Sequence, residues 1–206
     1  MRLFYVPGAC SLSPHIALRE ANLAFKLDRI DLKAGKKTQA GESYVQLNPK
    51  GYVPAPELDD GQILTEGAVI VQYIADLRPA SKLAPPNGTL DRVRLQEWLH
   101  YLATELHKGF SPLYSPAAND EFKSWWRTNK VEPRLAFLSK SLEGRPFLMG
   151  DTFTVADGYA FYLLRSWQGN ALKGDLSKWK VLSDYYARIG ERPAVKAALE
   201  AEAAPA

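Results

Sequence analysis

A change of pattern near residue 78 constrains the fold of this chain more than any other feature. Before it, segments rich in β-forming residues alternate with helical segments, which is typical of an α/β domain. The stretch RPASKLAPPNGT, which starts at Arg78, is rich in proline and small polar residues and indicates a linker. Only helical patterns follow it. The sequence therefore predicts an α/β domain over residues 1–78, a linker over 79–89 and an all-helical domain over 90–206.

The predicted elements alternate in the first domain and are helical in the second. The first domain is predicted to begin with a strand over 2–6, followed by a helix that Ser11 or Ser13 caps and that has Pro14 in its first turn. A strand over 24–32 comes next. A hairpin over 52–66, with Asp60 and Gly61 at its turn, and a helix capped by Thr65 complete the domain. In the second domain helices are predicted over 90–110 and 121–142, from Thr154, and twice within 176–202.

Charge, hydropathy and cysteine content narrow the function. The net charge is +3 with both signs interspersed, which favours an anionic small molecule and argues against nucleic acid. Pro7 and Gly8 interrupt the first apolar stretch, and no window approaches the roughly 18 apolar residues of a membrane span, so we expect no signal peptide and no membrane partner. The single cysteine, Cys10, excludes an intramolecular disulfide and is typical of a cytoplasmic protein.

Cys10 lies where the first predicted strand meets the first helix. The first turn of a helix exposes N–H groups and carries partial positive charge, which stabilises a thiolate and makes it nucleophilic. Gly8 and Ser11 beside it suit an open turn. The local sequence favours two interpretations equally. Cys10 is either a reactive thiol or a buried cysteine that packs as a small hydrophobic residue.

The sequence from Cys10 to Ser13 has the form C-x-x-S. A hydroxyl stands where a resolving thiol would lie, so Cys10 needs a thiol from outside the chain, and glutathione is the abundant cytosolic candidate. Alternatively, Ser11 donates its hydroxyl to the thiolate of a bound ligand, or it is only a helix cap.

The segment LTEG predicts a site for an amino-acid head group. Glu66 and Gly67 open a helix, whose first N–H groups suit a carboxylate, while the Glu66 side chain suits an ammonium group. One α-amino acid end would satisfy both. The alternative is that Glu66 only complements the helix dipole.

A third polar patch lies on the first helix of the second domain. His100, Thr104 and His107 are spaced i, i+4 and i+7, which places them on one helical face, and Lys108 follows directly. Two histidines suit a metal, but no further ligand has suitable spacing, so no metal is predicted. We expect these donors to face a cleft between the domains, with a solvated helix face as the alternative, chiefly for His100.

Several blocks in order carry a family resemblance. FYVPGACSLSPHIALRE, NPKGYVPAPELDDG, LTEGAVIVQYIAD, ATELHKGFSPLY and FTVADGYAF make the chain similar to bacterial cytosolic glutathione transferases of the beta class, from its start to the RPAV segment at 192–195. The resemblance implies a thioredoxin-like α/β domain joined to an all-α helical domain, assembled as a homodimer. It implies glutathione as co-substrate, with Cys10 beside its sulfur and able to form a mixed disulfide with it.

The resemblance also implies which residues bind glutathione. Lys36 and His107 would contact the tripeptide, Glu66 and Gly67 its γ-glutamyl end, and Val53 its backbone. In thioredoxin-like domains a proline that opens the third strand is commonly cis, which predicts the same for Pro54 and leaves the N–H and C=O of Val53 free to pair with a peptide. The full binding set is Tyr5, Lys36, Val53, Pro54, Glu66, Gly67, His100, Thr104 and Lys108, and the catalytic set is Cys10, Ser11 and His107.

Three positions depart from the family pattern. The family often has asparagine in place of His100, so that contact is the least supported. Pro56 replaces an aliphatic residue and removes one ladder donor, which predicts a bulge or distortion in the third strand. Gly158 stands where a hydrophobic staple to Phe153 would fall, which predicts a weaker helix start beside the capping box of Thr154 and Asp157.

Three functions fit these features. The first is conjugation of glutathione to hydrophobic electrophiles, with the thiolate stabilised by the first helix and by Ser11, Cys10, His107 or Lys108. The second is thiol–disulfide oxidoreduction or reductive dehalogenation at Cys10, and the third is non-catalytic carriage of hydrophobic ligands. Aromatic residues predicted to line the second-substrate pocket are Tyr5, Phe110, Tyr114 and Trp167.

Overall fold

The computed structural model describes residues 1–203, which divide into two units. Residues 1–84 and 192–203 form the first unit, and residues 85–191 form the second. The sheet of the first unit has the strands β1 (Arg2–Tyr5), β2 (Lys26–Arg29) and β3 (Ala55–Glu57) in the order β2-β1-β3. β1 runs parallel to β2 and antiparallel to β3.

Helices make up most of the rest. In the first unit they are α1 (Leu12–Glu20), α2 (Tyr44–Leu47), α3 (Gly67–Leu77) and α10 (Pro193–Ala203). In the second unit they are α4 (Leu90–Tyr101), α5 (Ser111–Tyr114), α6 (Asp120–Trp126), α7 (Glu132–Ser141), α8 (Val155–Gln168) and α9 (Lys180–Gly190). None of the helices described within residues 1–203 is long and apolar enough to cross a membrane.

A small apolar core fixes the end of β1. Phe4 is fully buried and packs on Tyr44 with ring centroids 5.2 Å apart, and Ile30 and Ala55 complete the cluster. After β1 the chain turns at Gly8, whose φ of +72° is a left-handed conformation that glycine adopts without strain. The core and this turn together determine where the segment before α1 lies.

The predicted hairpin is present only in part. Its turn forms as expected, with the N–H of Gly61 donating to the carbonyl of Leu58 at 3.0 Å. The second arm, however, pairs with β3 only through a bridge between Ile63 and Glu57, so the prediction of a second strand is wrong. β3 is only three residues long, so it offers little ladder for the second arm to join.

The bulge predicted at Pro56 is also wrong. Residues 2–4 pair with 55–57 in unbroken register, and Pro56 stands opposite Leu3. The carbonyl of Pro56 accepts from the N–H of Leu64 at 3.0 Å, on the edge away from β1. The N–H and C=O of one strand residue point to the same edge, so the donor that proline lacks would not have faced β1.

The C-terminal helix α10 packs with the first unit rather than with the helices that precede it. Its Glu202 bonds to the buried His15 of α1, and Arg192 forms a bidentate ion pair with Glu20 at 2.6 and 2.9 Å. The division into 1–78, 79–89 and 90–206 stays a prediction, and these long-range contacts favour grouping residues 192–203 with the first unit.

Two predicted long helices change their winding. The helix predicted over 90–110 is α-helical only to Tyr101 and continues as a π-helix over Leu102–His107 and a 3-10 turn over Lys108–Phe110. The helix predicted over 121–142 contains a second π segment over Arg127–Val131. π segments often lie at functional sites, and the first of these carries a predicted site residue at its end.

The start of α8 is held as predicted. Thr154 and Asp157 form the capping box, and Asp157 also accepts from the N–H of Leu148 and the hydroxyl of Tyr185. Burial raises the pKa of Asp157. The four hydrogen bonds that its carboxylate accepts, from the N–H groups of Leu148 and Thr154 and from the hydroxyls of Thr154 and Tyr185, oppose this effect. The weakening expected from Gly158 stays a prediction.

Candidate functional site

Cys10 lies directly before α1 and faces the loop that leads into β3. Its half-buried thiol donates a hydrogen bond to the carbonyl of Val53, with an Sγ–O distance of 3.1 Å. The Val53–Pro54 peptide bond is cis, which confirms that prediction. Cys10 and Val53, 43 positions apart in the sequence, therefore meet here. The thiol is partly accessible and lies next to the backbone that we predict to bind a peptide.

The backbone of Val53 is available on one side only. Its carbonyl accepts the Cys10 thiol, whereas its N–H has no hydrogen-bond partner among residues 1–203. The expectation that both groups are free was therefore wrong for the carbonyl. A carbonyl oxygen has two lone pairs, so it can still accept a second donor.

Ser11 does not have the catalytic geometry that we expected. It is fully buried, and its hydroxyl donates to the carbonyl of Val6 and accepts from the N–H of Val6, both at 3.2 Å. Both roles of the hydroxyl are thus used within the chain. Ser11 takes the N-cap position of α1, as one of the two predicted alternatives had it, but its side chain makes no capping hydrogen bond within residues 1–203. Ser11 secures the turn before the helix rather than presenting a donor to a ligand. The predicted cap at Ser13 is also wrong, because its buried hydroxyl has no hydrogen-bond partner within residues 1–203.

The start of α3 carries an exposed carboxylate beside a helix N-terminus. Glu66 takes the N-cap position with φ of +69°, so the predicted cap at Thr65 is wrong. The Glu66 carboxylate pairs with the ammonium of Lys50 at 2.7 Å, and the same ammonium donates to the Thr65 hydroxyl at 2.9 Å. Gly67 begins the helix, and the N–H groups of its first turn suit an anion.

Lys36 is held close to the Val53 loop. Its ammonium donates to the carbonyl of Gly51 at 3.0 Å and lies 5.7 Å from the centre of the Tyr52 ring. The backbone of Lys36 has φ of +59°. The described first unit therefore brings Cys10, Val53 and Lys36 onto neighbouring segments, as the family resemblance implied.

His107 lies half-buried in the second unit, against two neighbouring tyrosines. Its Nδ1 is 2.8 Å from the hydroxyl of Tyr159, and its ring meets the ring of Tyr162 edge to face at 5.5 Å. Burial, together with the positive charge of Lys108, lowers the pKa of His107 to about 4. His107 is therefore neutral near pH 7, so it could stabilise a thiolate as a hydrogen-bond donor but not as a cation.

The other members of the polar patch differ from His107 in their exposure. His100, Thr104 and Lys108 are exposed, and the Thr104 hydroxyl donates to the carbonyl of His100 at 3.0 Å. The spacing i, i+4, i+7 assumed an α-helix throughout. The π-helix over Leu102–His107 has more residues per turn, so the shared face of these three residues is lost.

Three of the four residues predicted to line an aromatic pocket are core residues instead. Phe110 and Trp167 are each 1% exposed and stack with ring centroids 5.8 Å apart. Gly174 lies so close that a Cβ there would be 2.1 Å from Cε2 of Trp167. Tyr5 is also buried, and only Tyr114 is exposed, with its hydroxyl 2.7 Å from that of Ser166.

Sequence reasoning missed the two polar partners of the predicted site residues. Lys50, which pairs with Glu66, stands 16 positions earlier in an ordinary turn, and no local pattern distinguishes it. Tyr159, which bonds to His107, belongs to an apolar run whose aromatic residues read as core. Within residues 1–203 the structure has no cluster of three His, Cys, Asp or Glu side chains positioned for a metal ion.

The first unit is thioredoxin-like. It has a β1–α1–β2 unit, a cysteine before α1 and a cis-proline before β3, and the chain continues as helices. Residues 8–77 match the family model for the glutathione S-transferase N-terminal domain, and residues 104–202 match the model for its C-terminal domain. The chain belongs to the glutathione S-transferase family, which confirms the predicted fold class and enzyme class.

Individual relatives agree with this assignment. The chain is 44% identical over 202 residues to glutathione S-transferase GstA of Escherichia coli O157:H7, covering 98% of each chain. A sphingomonad glutathione S-transferase solved in complex with glutathione is 46% identical, with a TM-score of 0.93 and full coverage of both chains. A beta-class enzyme of Sphingomonas chungbukensis is 45% identical, with a TM-score of 0.91 and coverage of 98% of this chain and 99% of that one. These similarities confirm the predicted resemblance to bacterial beta-class enzymes.

Proposed function

We propose that the protein conjugates glutathione to hydrophobic electrophiles and that its first unit holds the tripeptide by Cys10, Val53 and the start of α3. The observation that carries this proposal is the 3.1 Å contact between the Cys10 thiol and the Val53 carbonyl. It joins the only thiol of the chain to Val53, whose N–H has no hydrogen-bond partner in the part of the chain that the structure describes. A cysteine-containing peptide laid along that edge has its sulfur directed towards Cys10.

The γ-glutamyl end of glutathione fits the start of α3. Its carboxylate matches the N–H groups of the first turn, which begins at Gly67, and its ammonium matches the exposed carboxylate of Glu66. Lys50 already occupies that carboxylate, so the ammonium of the ligand shares or displaces it. Because the Lys50–Glu66 pair is exposed, its loss costs at most about 1 kcal/mol, which the new contacts offset.

The reaction itself uses the thiolate of glutathione. The thiolate attacks an electrophilic carbon, a C–S bond forms, and the leaving group departs with the electron pair of the broken bond. The partial positive charge at the first turn of α1 stabilises the thiolate, and so does the Cys10 S–H once it turns from the Val53 carbonyl to the sulfur of the ligand. We assign His107 a neutral donor role towards the bound tripeptide.

Cys10 can also react covalently. Its thiolate attacks one sulfur of glutathione disulfide, so that a Cys10–glutathione disulfide forms as the old S–S bond breaks, and glutathione leaves as a thiolate that takes up a proton. No further oxidant is required. We expect intact mass under non-reducing conditions to increase by about 305 Da after incubation with glutathione disulfide, and the increase to disappear with reductant. An unchanged mass would contradict the mixed disulfide.

Substitution of Cys10 separates conjugation from redox chemistry. In Cys10→Ala, conjugation to a dinitrophenyl halide should stay within about tenfold of wild type, because glutathione supplies the attacking sulfur. Thiol transfer from a glutathionylated peptide should disappear. Cys10→Ser is the matched control, since it keeps a hydrogen-bond donor near Val53 and removes only the sulfur. If both substituted proteins lost both activities, Cys10 would be essential. That result would favour the second interpretation, in which the protein is a thiol–disulfide oxidoreductase or a reductive dehalogenase.

We further propose a homodimer that acts in the cytoplasm, in detoxification. The single thiol supports a reducing compartment, and the family resemblance supports the dimer. Light scattering coupled to gel filtration should give twice the mass of one chain, and a monomer would contradict the assembly. Binding of a hydrophobic dye without turnover against a panel of electrophiles would instead support the carrier interpretation.

A further inference from the structure

A tyrosine hydroxyl meets one of the two ring nitrogens of His107. The distance between Nδ1 of His107 and the Tyr159 hydroxyl is 2.8 Å, and the two rings lie nearly perpendicular with centroids 5.8 Å apart. Tyr162 packs edge to face on the same imidazole at 5.5 Å, and its ring stacks beside that of Tyr159 with centroids 6.5 Å apart. Tyr159 and Tyr162 are 4% and 7% exposed, so both rings that hold the imidazole are themselves fixed by the core.

The chemistry of the two groups decides which one donates. Burial lowers the pKa of His107 to about 4, so the ring is neutral near pH 7 and carries one N–H and one lone-pair nitrogen. An imidazole nitrogen is a better acceptor than a phenol oxygen, and a phenol is a better donor than a neutral imidazole. The favoured arrangement is donation from the Tyr159 hydroxyl to Nδ1, which leaves the proton of His107 on Nε2.

We propose that Tyr159 is a positioning residue that fixes His107 in the tautomer whose Nε2 presents an N–H to glutathione. The inference deepens the proposed function, on which it rests, because it supposes that His107 contacts the bound tripeptide. Nε2 has no hydrogen-bond partner among residues 1–203, so its proton is available to a ligand. Without Tyr159, the other tautomer would point a lone pair at an anionic or carbonyl acceptor and repel it.

The arrangement gives the site a hydrogen-bond donor that does not change with pH. A protonated histidine would lose its charge within the range in which the glutathione thiolate forms. A neutral Nε2–H held by Tyr159 keeps the same contact above about pH 5, because His107 takes up its second proton only near pH 4. Lys108 is the charged neighbour along the chain, and its positive charge acts in the same direction.

The tautomer can be measured directly. The chain has only three histidines, so ¹⁵N labelling of histidine gives a spectrum that single substitutions assign. We expect the wild-type His107 signals to show a proton on Nε2 and a lone pair on Nδ1 at pH 7, and Tyr159→Phe to give a mixture of tautomers. Tyr162→Phe is the matched control, since that ring also packs on His107, and it should leave the tautomer unchanged. A proton on Nδ1 in wild type, or no change in Tyr159→Phe, would overturn the proposal.

Kinetics then connect the tautomer to the reaction. Tyr159→Phe should raise KM for glutathione about twofold to tenfold with little change in kcat, as expected for one lost hydrogen bond. His107→Gln places an amide N–H near the position of Nε2 and should retain glutathione binding better than His107→Asn. Adding Tyr159→Phe to His107→Gln should raise KM no further, because glutamine has no tautomers. A further increase would show that Tyr159 acts through packing, and would overturn the positioning role.

The same variants separate this inference from the proposed function. If His107→Ala leaves KM for glutathione unchanged, His107 is not part of the site, and the role of Tyr159 in the reaction fails with it. Binding by Cys10, Val53 and α3 would be unaffected by that result. If the wild-type enzyme conjugates no electrophile while the histidine spectrum is as expected, the proposed reaction fails and the tautomer assignment does not.

Discussion

Replacement of Glu202 by alanine tests whether the C-terminal helix holds the cysteine loop. One carboxylate oxygen of Glu202 is 3.1 Å from Nδ1 of His15, and the other accepts from the N–H of Gly8 at 3.0 Å, two residues before Cys10. Arg19 donates to Nε2 of His15 at 2.9 Å, so the proton of the imidazole is on Nδ1 and points at Glu202. The chain Arg19–His15–Glu202–Gly8 therefore links α10 to the loop before α1.

The structure sets the size of the effect. His15 is 0% exposed and Glu202 is 6% exposed, so Glu202→Ala leaves a buried imidazole N–H without an acceptor, at a cost of about 1–3 kcal/mol. The N–H of Gly8 is near solvent and can bond to water instead, which adds only about 0.5–1 kcal/mol. We therefore expect Glu202→Ala to lower the free energy of unfolding by about 1.5–4 kcal/mol. Glu202→Gln keeps one acceptor oxygen and should cost roughly half as much.

Urea unfolding followed by tryptophan fluorescence measures this difference. All variants must be compared at one protein concentration, because the stability of the proposed dimer would depend on that concentration. Glu200→Ala is the control, since this exposed residue lies on the same helix and should change stability by less than about 0.5 kcal/mol. If Glu202→Ala were as stable as Glu200→Ala, the buried contacts would not contribute to stability and the reasoning would fail.

Three further predictions concern the site and its support. Ser11→Ala removes two hydrogen bonds to the backbone of Val6 and should lower the free energy of unfolding in urea by about 1–3 kcal/mol. Conjugation should stay near wild type. Lost activity at full stability would instead support a catalytic role for Ser11. Gly174→Ala places a Cβ against the Trp167 ring and should lower the free energy of unfolding by about 1–3 kcal/mol or more. Gly109→Ala is the control, because no atom lies within 4 Å of the Cβ position there. Equal urea midpoints for the two variants would contradict this prediction. The pKa of His107 is about 4 in the folded state against an ordinary 6.5, so the unfolded state binds more protons between these values and stability should fall as pH drops from 6.5 to 4. Urea midpoints across this range should fall less steeply in His107→Gln, and parallel slopes would argue against the buried neutral histidine.

Local sequence patterns predicted the parts of the fold that depend on neighbours in the chain. β1, β2, the turn at Gly61 and the capping box of α8 all follow from residues within a few positions of one another. The second arm of the hairpin failed because pairing there depends on the ladder that β3 offers, not on its own residues. The same holds for α10, whose grouping with the first unit depends on a partner, His15, 187 positions away.

The residues of the candidate site also divide into those that local sequence patterns predict and those that depend on distant contacts. Cys10, Glu66 and Gly67 are predictable because a helix N-terminus creates their environment, and the residues that start a helix are visible in the sequence. The assignment of Ser11 failed because a serine before a helix has the same local pattern whether its hydroxyl faces a ligand or bonds to Val6.

The π-helix over Leu102–His107 shows why a spacing rule can group residues that the structure separates. A spacing of i, i+4 and i+7 places three side chains together only while each turn has about 3.6 residues. The winding changes at Leu102, so His107 turns towards Tyr159 and Tyr162 while His100 stays exposed. A regular α-helix would carry a residue seven positions from His100 back to the exposed side. The donor that we assign to the reaction is therefore a product of the irregular winding, and His107 should be the member of this patch whose substitution changes glutathione binding.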